Sequence, residues 1–208
     1  MNVPAIAKKS FDLLRDKPEF MSIVQGILSI LQKLPLPQKR AKFVHQMVDE
    51  FNQDVFSHPL VKKLSPCQSG CSACCHTQVS VTDEEAELLI DRIAGGVEID
   101  TDRLERQMRA EDSTENFYKL NFLERRCIFL DDRGACKVYD DRPSVCRTNA
   151  VLGSADQCDT SQSLRPTRLV LTQKADMVIY ASFLFSAKSG SLPHMIGKKI
   201  LKEESKVS

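Results

Sequence analysis

The run Cys67-Gln68-Ser69-Gly70-Cys71-Ser72-Ala73-Cys74-Cys75-His76 decides how this chain is read, because half of its eight cysteines stand there and the other four follow from Cys127 to Cys158. Free cysteine is ordinarily a scattered core residue, whereas thiolates at two- and three-residue gaps converge on a metal. The predicted architecture is therefore mainly α with a small β-hairpin: an irregular, metal-organised cysteine-rich core flanked by N- and C-terminal helices.

Upstream of the run the pattern is helical. Phe20, Ile23, Val24, Ile27, Leu28, Ile30 and Leu31 recur at three- and four-residue spacing until Leu34-Pro35-Leu36-Pro37 interrupts them. Phe43, Val44, Met47, Val48, Phe51 and Val55 repeat the spacing over a second segment from Gln38. The two stripes predict an antiparallel pair that faces itself, a helical hairpin over residues 1–64. Downstream, Thr82-Asp83-Glu84-Glu85 is a capping box that opens a helix through Ile93 and stops at Gly95-Gly96. A polar surface helix is expected near Asp102 to Ala110.

Cys127-Ile128-Phe129-Leu130 and Cys136-Lys137-Val138-Tyr139 flank a turn containing Gly134, which predicts a hairpin with a cysteine on each strand. Pro143 then starts a short helix that presents Cys146. Cys158 lies on a less regular loop. These features define a cysteine-cluster domain over residues 65–163. The remaining 164–208 is a C-terminal helical segment packing on the core, with a short strand at Leu169 to Leu171, an apolar helix from Lys174 to Ala187, a stop at Gly190 and a final helix near Met195 to Leu201.

Composition excludes several functions. The chain has 208 residues, 42% hydrophobic, with a net charge of +1 and a pI near 7.5, so no basic field exists to hold nucleic acid. The N-terminus lacks the continuous apolar run of a signal peptide, and the longest apolar stretches are too short to span a bilayer. A cytoplasmic location without membrane association is expected, where thiols stay reduced and a disulfide framework is disfavoured. Protein partners are expected through the terminal helices; an oligomeric state is not legible.

Eight thiols, Cys67, Cys71, Cys74, Cys75, Cys127, Cys136, Cys146 and Cys158, permit one four-ligand centre plus structural thiols, or two centres. In an extended segment Cys74 and Cys75 point to opposite sides, so both are not expected on one ion. Only one C-x2-C gap, Cys71 to Cys74, resembles a zinc knuckle. The uneven spacing favours an iron–sulfur cluster of the 4Fe-4S type, with zinc as the alternative. His76 is a possible further ligand, weighed against a histidine bonded to backbone or solvent. Asp131-Asp132 and Asp140-Asp141 read as solvated turn charges, and structural pairing with them is the expected role of Arg142 and Arg147, ahead of contact with sulfur or an anion.

Taken together, Cys67-x3-Cys71-x2-Cys74-Cys75, Cys127-x-Phe-Leu and Gly134-x-Cys136-x-x-Tyr139-x-x-Arg142-Pro143-x-x-Cys146-Arg147 closely resemble the YkgJ-type cysteine-cluster family of zinc- or iron-chelating domains. The resemblance covers about Cys67 to Cys158. It implies metal chelation by the clustered cysteines and places Tyr139, Arg142 and Arg147 around the bound group. It also relates the chain to a module of bacterial flagellin lysine N-methylases associated with an iron–sulfur centre, but this chain is shorter and has no evident cosubstrate region, so methyl transfer is not carried over. The first three cysteines also match the spacing of radical S-adenosylmethionine enzymes. That third reading is disfavoured by Ala73, where an aromatic is usual, and by the lack of strands for a βα barrel. Whether the chain is an enzyme is left open by these residues.

Overall fold

A computed structural model describes residues 3–67, 70–161 and 172–207. Proline sets the first long helices: Pro18 and Pro37 stand at the starts of α2 (Pro18–Lys33) and α3 (Pro37–Ser57), where a missing N–H costs nothing. A shorter helix, α1 (Ala5–Leu14), precedes them, and α4 (Pro59–Leu64) follows. The capping box forms as read. Thr82 accepts from the Glu85 N–H and Glu85 from the Thr82 N–H, opening α5 (Asp83–Ala94), which ends at Gly95 and a left-handed Gly96. After it come α6 (Thr101–Met108), capped by Asp100, α7 (Thr114–Lys119), capped by Ser113, and α8 (Ser144–Thr148). The C-terminal part holds α9 (Gln173–Phe185) and α10 (Leu192–Val207).

Two apolar cores result. In the first, Phe20, Val24, Ile27 and Leu31 of α2 and Val44 and Val48 of α3 meet α9 through Val178, Ile179 and Phe183. The expected face-to-face pair of the first two long helices is thus replaced: both stripes, and α1, pack on α9. The reason is that α9 is apolar nearly all round, and a helix of that kind has to be covered on several sides. In the second core, Ile128 and Phe129 are buried with Val81, Leu89, Leu104, Leu192 and Ile196. Full burial of side chains this size stabilises by roughly 1.5–3 kcal/mol each, enough to anchor the segment that begins at Cys127.

Among the described residues the architecture is mainly α with one small antiparallel two-stranded element. Its strands are β1 (Ser80–Thr82) and β2 (Ser189–Ser191), paired Val81 to Gly190. They are three residues each and far apart in the chain, so no local pattern announces them. Conversely, the segment expected as a hairpin closes through one bridge, Leu130 to Cys136, with Lys137 N–H donating to Phe129 O at 2.8 Å. The Asp131 carboxylate draws in the N–H groups of Arg133 and Ala135 and tightens the turn before regular strands develop. α9 also ends at Phe185, before the expected Gly190 stop, because Ser186 turns extended and its hydroxyl bonds Glu84 and Lys188 O. The strand expected at Leu169 to Leu171 lies outside the described residues. Among the described residues, no helix is long and apolar enough to cross a membrane.

Gly190 has a packing reason. A Cβ there would stand 2.8 Å from Oδ1 of Asp112, which accepts the Ser191 N–H at 2.6 Å. Gly190→Ala is expected to cost about 1–3 kcal/mol by this overpacking. In an Asp112→Ala background the same change should cost clearly less, which a double-mutant cycle by urea unfolding measures; equal costs in both backgrounds would refute the contact.

Candidate metal centre

The first cysteine run folds locally as a 3₁₀ turn, Ala73–His76, with Cys75 N–H donating to Ser72 O at 2.9 Å. This overturns the extended geometry assumed for the vicinal pair. In the turn the thiols of Cys74 and Cys75 hydrogen-bond each other instead of diverging.

Later segments close onto this turn. Cys127 N–H donates to Cys75 O at 2.8 Å, so the cysteine after the long helical insertion sits directly against the first run. From the other side, the 131–135 turn approaches so closely that a Cβ on Gly134 would lie 3.2 Å from Oγ of Ser72. Gly134 also has φ +79°, which a side chain resists. The chain then runs through a second 3₁₀ turn, Tyr139–Asp141, into α8, whose third residue is Cys146. A last 3₁₀ turn, Ala155–Cys158, packs against Ala73–His76 and brings in Cys158.

The electrostatics follow from this convergence. Cys74 is the hub: its thiol is drawn down to about 6, chiefly by the hydrogen bond from Cys75, against the opposing effect of burial and with help from Asn149 and Arg142. Cys75 moves the other way, because its hydrogen bond to Cys74 and its burial favour the neutral thiol. Burial pushes Cys127 up to about 12 and raises Cys136 and Cys146, with neighbouring thiols adding to each. Cys158 is pushed up to about 11 by burial and by Cys74, Cys67 and Cys71. By these mutual influences the eight residues divide into an inner set around Cys74, namely Cys74, Cys75, Cys127, Cys136 and Cys146, and an outer set of the buried Cys158 with the half-buried Cys71 and the exposed Cys67. All eight are free thiols. Among the described residues, no three His, Cys, Asp or Glu side chains form a group ready to hold a metal ion. The donor chemistry nevertheless fits one: buried thiols that raise one another's pKa are relieved when a cation takes their negative charge.

The expected arginine pairings change. Arg142 lies over the exposed Tyr139 ring, 3.9 Å from its centroid, and is close enough to lower the Cys74 and Cys136 thiols. Arg147 pairs with Asp49 of α3 and donates to the backbone carbonyls of Asp140 and Arg142 and to Nδ1 of His45, while the carboxylates of the expected aspartate pairs play no part. Asp141 takes Arg92 at 2.6 Å instead, and Asp131 serves its own turn. An open cleft of about 960 Å³ runs between α3 and the 137–141 turn; His45, Arg147 and Tyr139 line it and no cysteine does. His76 stacks on Phe122 at 4.2 Å, and burial lowers its pKa.

Sequence reading missed the support for Cys146. Glu85, visible as a capping residue, is buried at 2% exposure and accepts three ways: Oε2 from Thr82 N–H, and Oε1 from Ser144 N–H at 2.7 Å and from His45 at 3.2 Å. Burial alone would push its carboxyl up, but these donors hold it below the usual carboxylate range. Arg147 has only donors, so the His45 Nδ1 facing it accepts and the proton sits on Nε2, pointing at Glu85. Asn52 of α3 completes the clasp by donating to Arg147 O at 3.0 Å.

Residues 66–167, which contain every cysteine, match the family CxxCxxCC, described as "Putative zinc- or iron-chelating domain". No curated protein and no solved structure matches the chain.

In the reduced, metal-free protein, Cys74 should alkylate first, its rate rising as pH climbs through about 6. Cys158 and Cys127 should stay protected until pH nears about 11 and about 12. Timed iodoacetamide labelling with peptide mass spectrometry reads the order; faster labelling of Cys127 than of Cys74 at neutral pH would contradict this geometry.

Proposed function

We propose, from the membership of residues 66–167 in the CxxCxxCC family, that this chain holds an iron–sulfur cluster of the 4Fe-4S type on thiolates drawn from Cys74, Cys75, Cys127, Cys136 and Cys146. Zinc or iron chelation is the family's own description; the cluster, and a redox or accessory role for it, are the finer reading. The observation that carries it is the backbone closure on the Cys74–Cys75 turn, with Cys127 N–H on Cys75 O and Gly134 against Ser72, which leaves five thiols within electrostatic reach of one another. Four thiolates complete such a cluster, and the uneven spacing does not reproduce paired zinc knuckles. Arg142, stacked on Tyr139, supplies a fixed positive charge beside the sulfurs, an arrangement suited to setting a reduction potential. When bound, the cluster would supply one-electron chemistry; the protein's part is to bind, orient and partly bury it. A reducing compartment such as the cytoplasm suits eight free thiols. The radical S-adenosylmethionine reading finds no βα barrel among the described residues.

Protein purified without oxygen should be brown, with iron and acid-labile sulfide in comparable amounts and a visible band that dithionite bleaches. Colourless protein with stoichiometric zinc and no sulfide would replace the cluster by zinc. Cys136→Ser should lower bound metal and folded yield together by several-fold, since binding energy at such sites is folding energy. Cys67→Ser, at the exposed edge, should leave metal content near that of the unaltered protein.

A further inference from the structure

Cys146 rides on a helix of five residues, too short to be stable alone, so tertiary contacts decide where its thiol points. The backbone N–H that opens this helix, that of Ser144, goes to Oε1 of Glu85. Closing the capping box of α5 needs only the other carboxylate oxygen, Oε2, which takes the Thr82 N–H at 3.0 Å. One buried carboxylate therefore does two separable things, and only the second concerns the cysteine. His45 adds a second buried donor to the same Oε1 and is itself held by Arg147, the residue after Cys146. Burying such a chain of polar groups is costly unless every partner is in place, so its geometry is narrowly defined.

We propose that Glu85, oriented by His45, is a positioning residue for the Cys146 thiol: it sets the start of α8 so that this thiol faces the inner set. This rests on the reading above that Cys146 is a metal ligand. A merely structural Glu85 would, when replaced, lower stability and with it apparent metal affinity, but would leave the saturated site unchanged. A positioning Glu85 would leave the saturated site one thiolate short.

Cobalt(II) is the probe, titrated into the reduced, metal-free full chain, with the thiolate-to-metal charge-transfer intensity read at saturation. Cys146→Ser calibrates the loss of one thiolate. Glu85→Gln is expected to saturate at that same reduced intensity and to bind at least tenfold more weakly. Thr82→Ala weakens the capping box without touching the Ser144 bond, and should saturate at full intensity. Full intensity in Glu85→Gln, alongside a loss in Cys146→Ser, would overturn the positioning role and leave the ligand reading intact. Full intensity in Cys146→Ser would overturn both. If Glu85→Gln does not fold, His45→Gln, which keeps a donor toward Glu85 but loses the ring acceptor for Arg147, is read the same way: reduced intensity supports the role and full intensity overturns it.

Discussion

A carboxylate at 2% exposure is the constraint on which the arrangement of this molecule turns. Left without partners, the charged Glu85 side chain would cost several kcal/mol in the interior. The placement of α3, α5 and α8 supplies the His45 ring, the Thr82 N–H and the Ser144 N–H together. The long helix α3 is thereby locked to α5 and to the short helix that carries Cys146. Arg147 and Asn52 also join α3 to α8, Arg147 by pairing with the half-exposed Asp49 and Asn52 through a buried hydrogen bond. Hydrophobic burial gives the two cores their cohesion, but it is not directional. The hydrogen-bonded chain from Arg147 through His45 to Glu85 supplies the direction.

The thiol-bearing region is organised on a different principle from the helices around it. Between Cys127 and Arg142 there is one bridge, one tight turn and a 3₁₀ turn, with Ile128, Phe129 and Val138 as its buried apolar anchors. Backbone contacts at Cys75 with Cys127, and at Ser72 with Gly134, bring its halves together. Regular ladders would have consumed those backbone groups and held the thiols on opposite faces of a sheet. The irregular path lets sulfurs from distant positions share one neighbourhood. The irregular path agrees with the match of residues 66–167 to a family described by chelation.

Charge within the inner set is unevenly distributed. Cys74 is drawn toward the thiolate, while Cys75, Cys127 and Cys146 are held as thiols by burial and by one another. One negative charge beside Arg142 is tolerable in this setting; several are not until a metal neutralises them. The open cleft, with Tyr139 on its wall, lies next to the arginine that the sulfurs feel.

Much of this was legible in residues that act locally. Prolines and the 3.6-residue stripes set α2 and α3, the Thr82–Glu85 box set α5, and the spacing of cysteines, glycine and arginine marked the chelating domain before any contact was known. Where the reading failed, the cause was chiefly non-local. The β1–β2 pair joins two triplets more than a hundred positions apart, and the stripes of α2 and α3 found α9 instead of each other. One failure was local: the vicinal thiols met because a 3₁₀ turn replaced the extended backbone. Sequence by itself determined which residues carry thiols suited to chelation and where α2, α3 and α5 begin, since those depend on residue type and short spacing. Tertiary structure alone decided which thiols are neighbours and that Glu85 is buried between three helices, because burial and long-range hydrogen bonds exist only once distant segments have closed on one another.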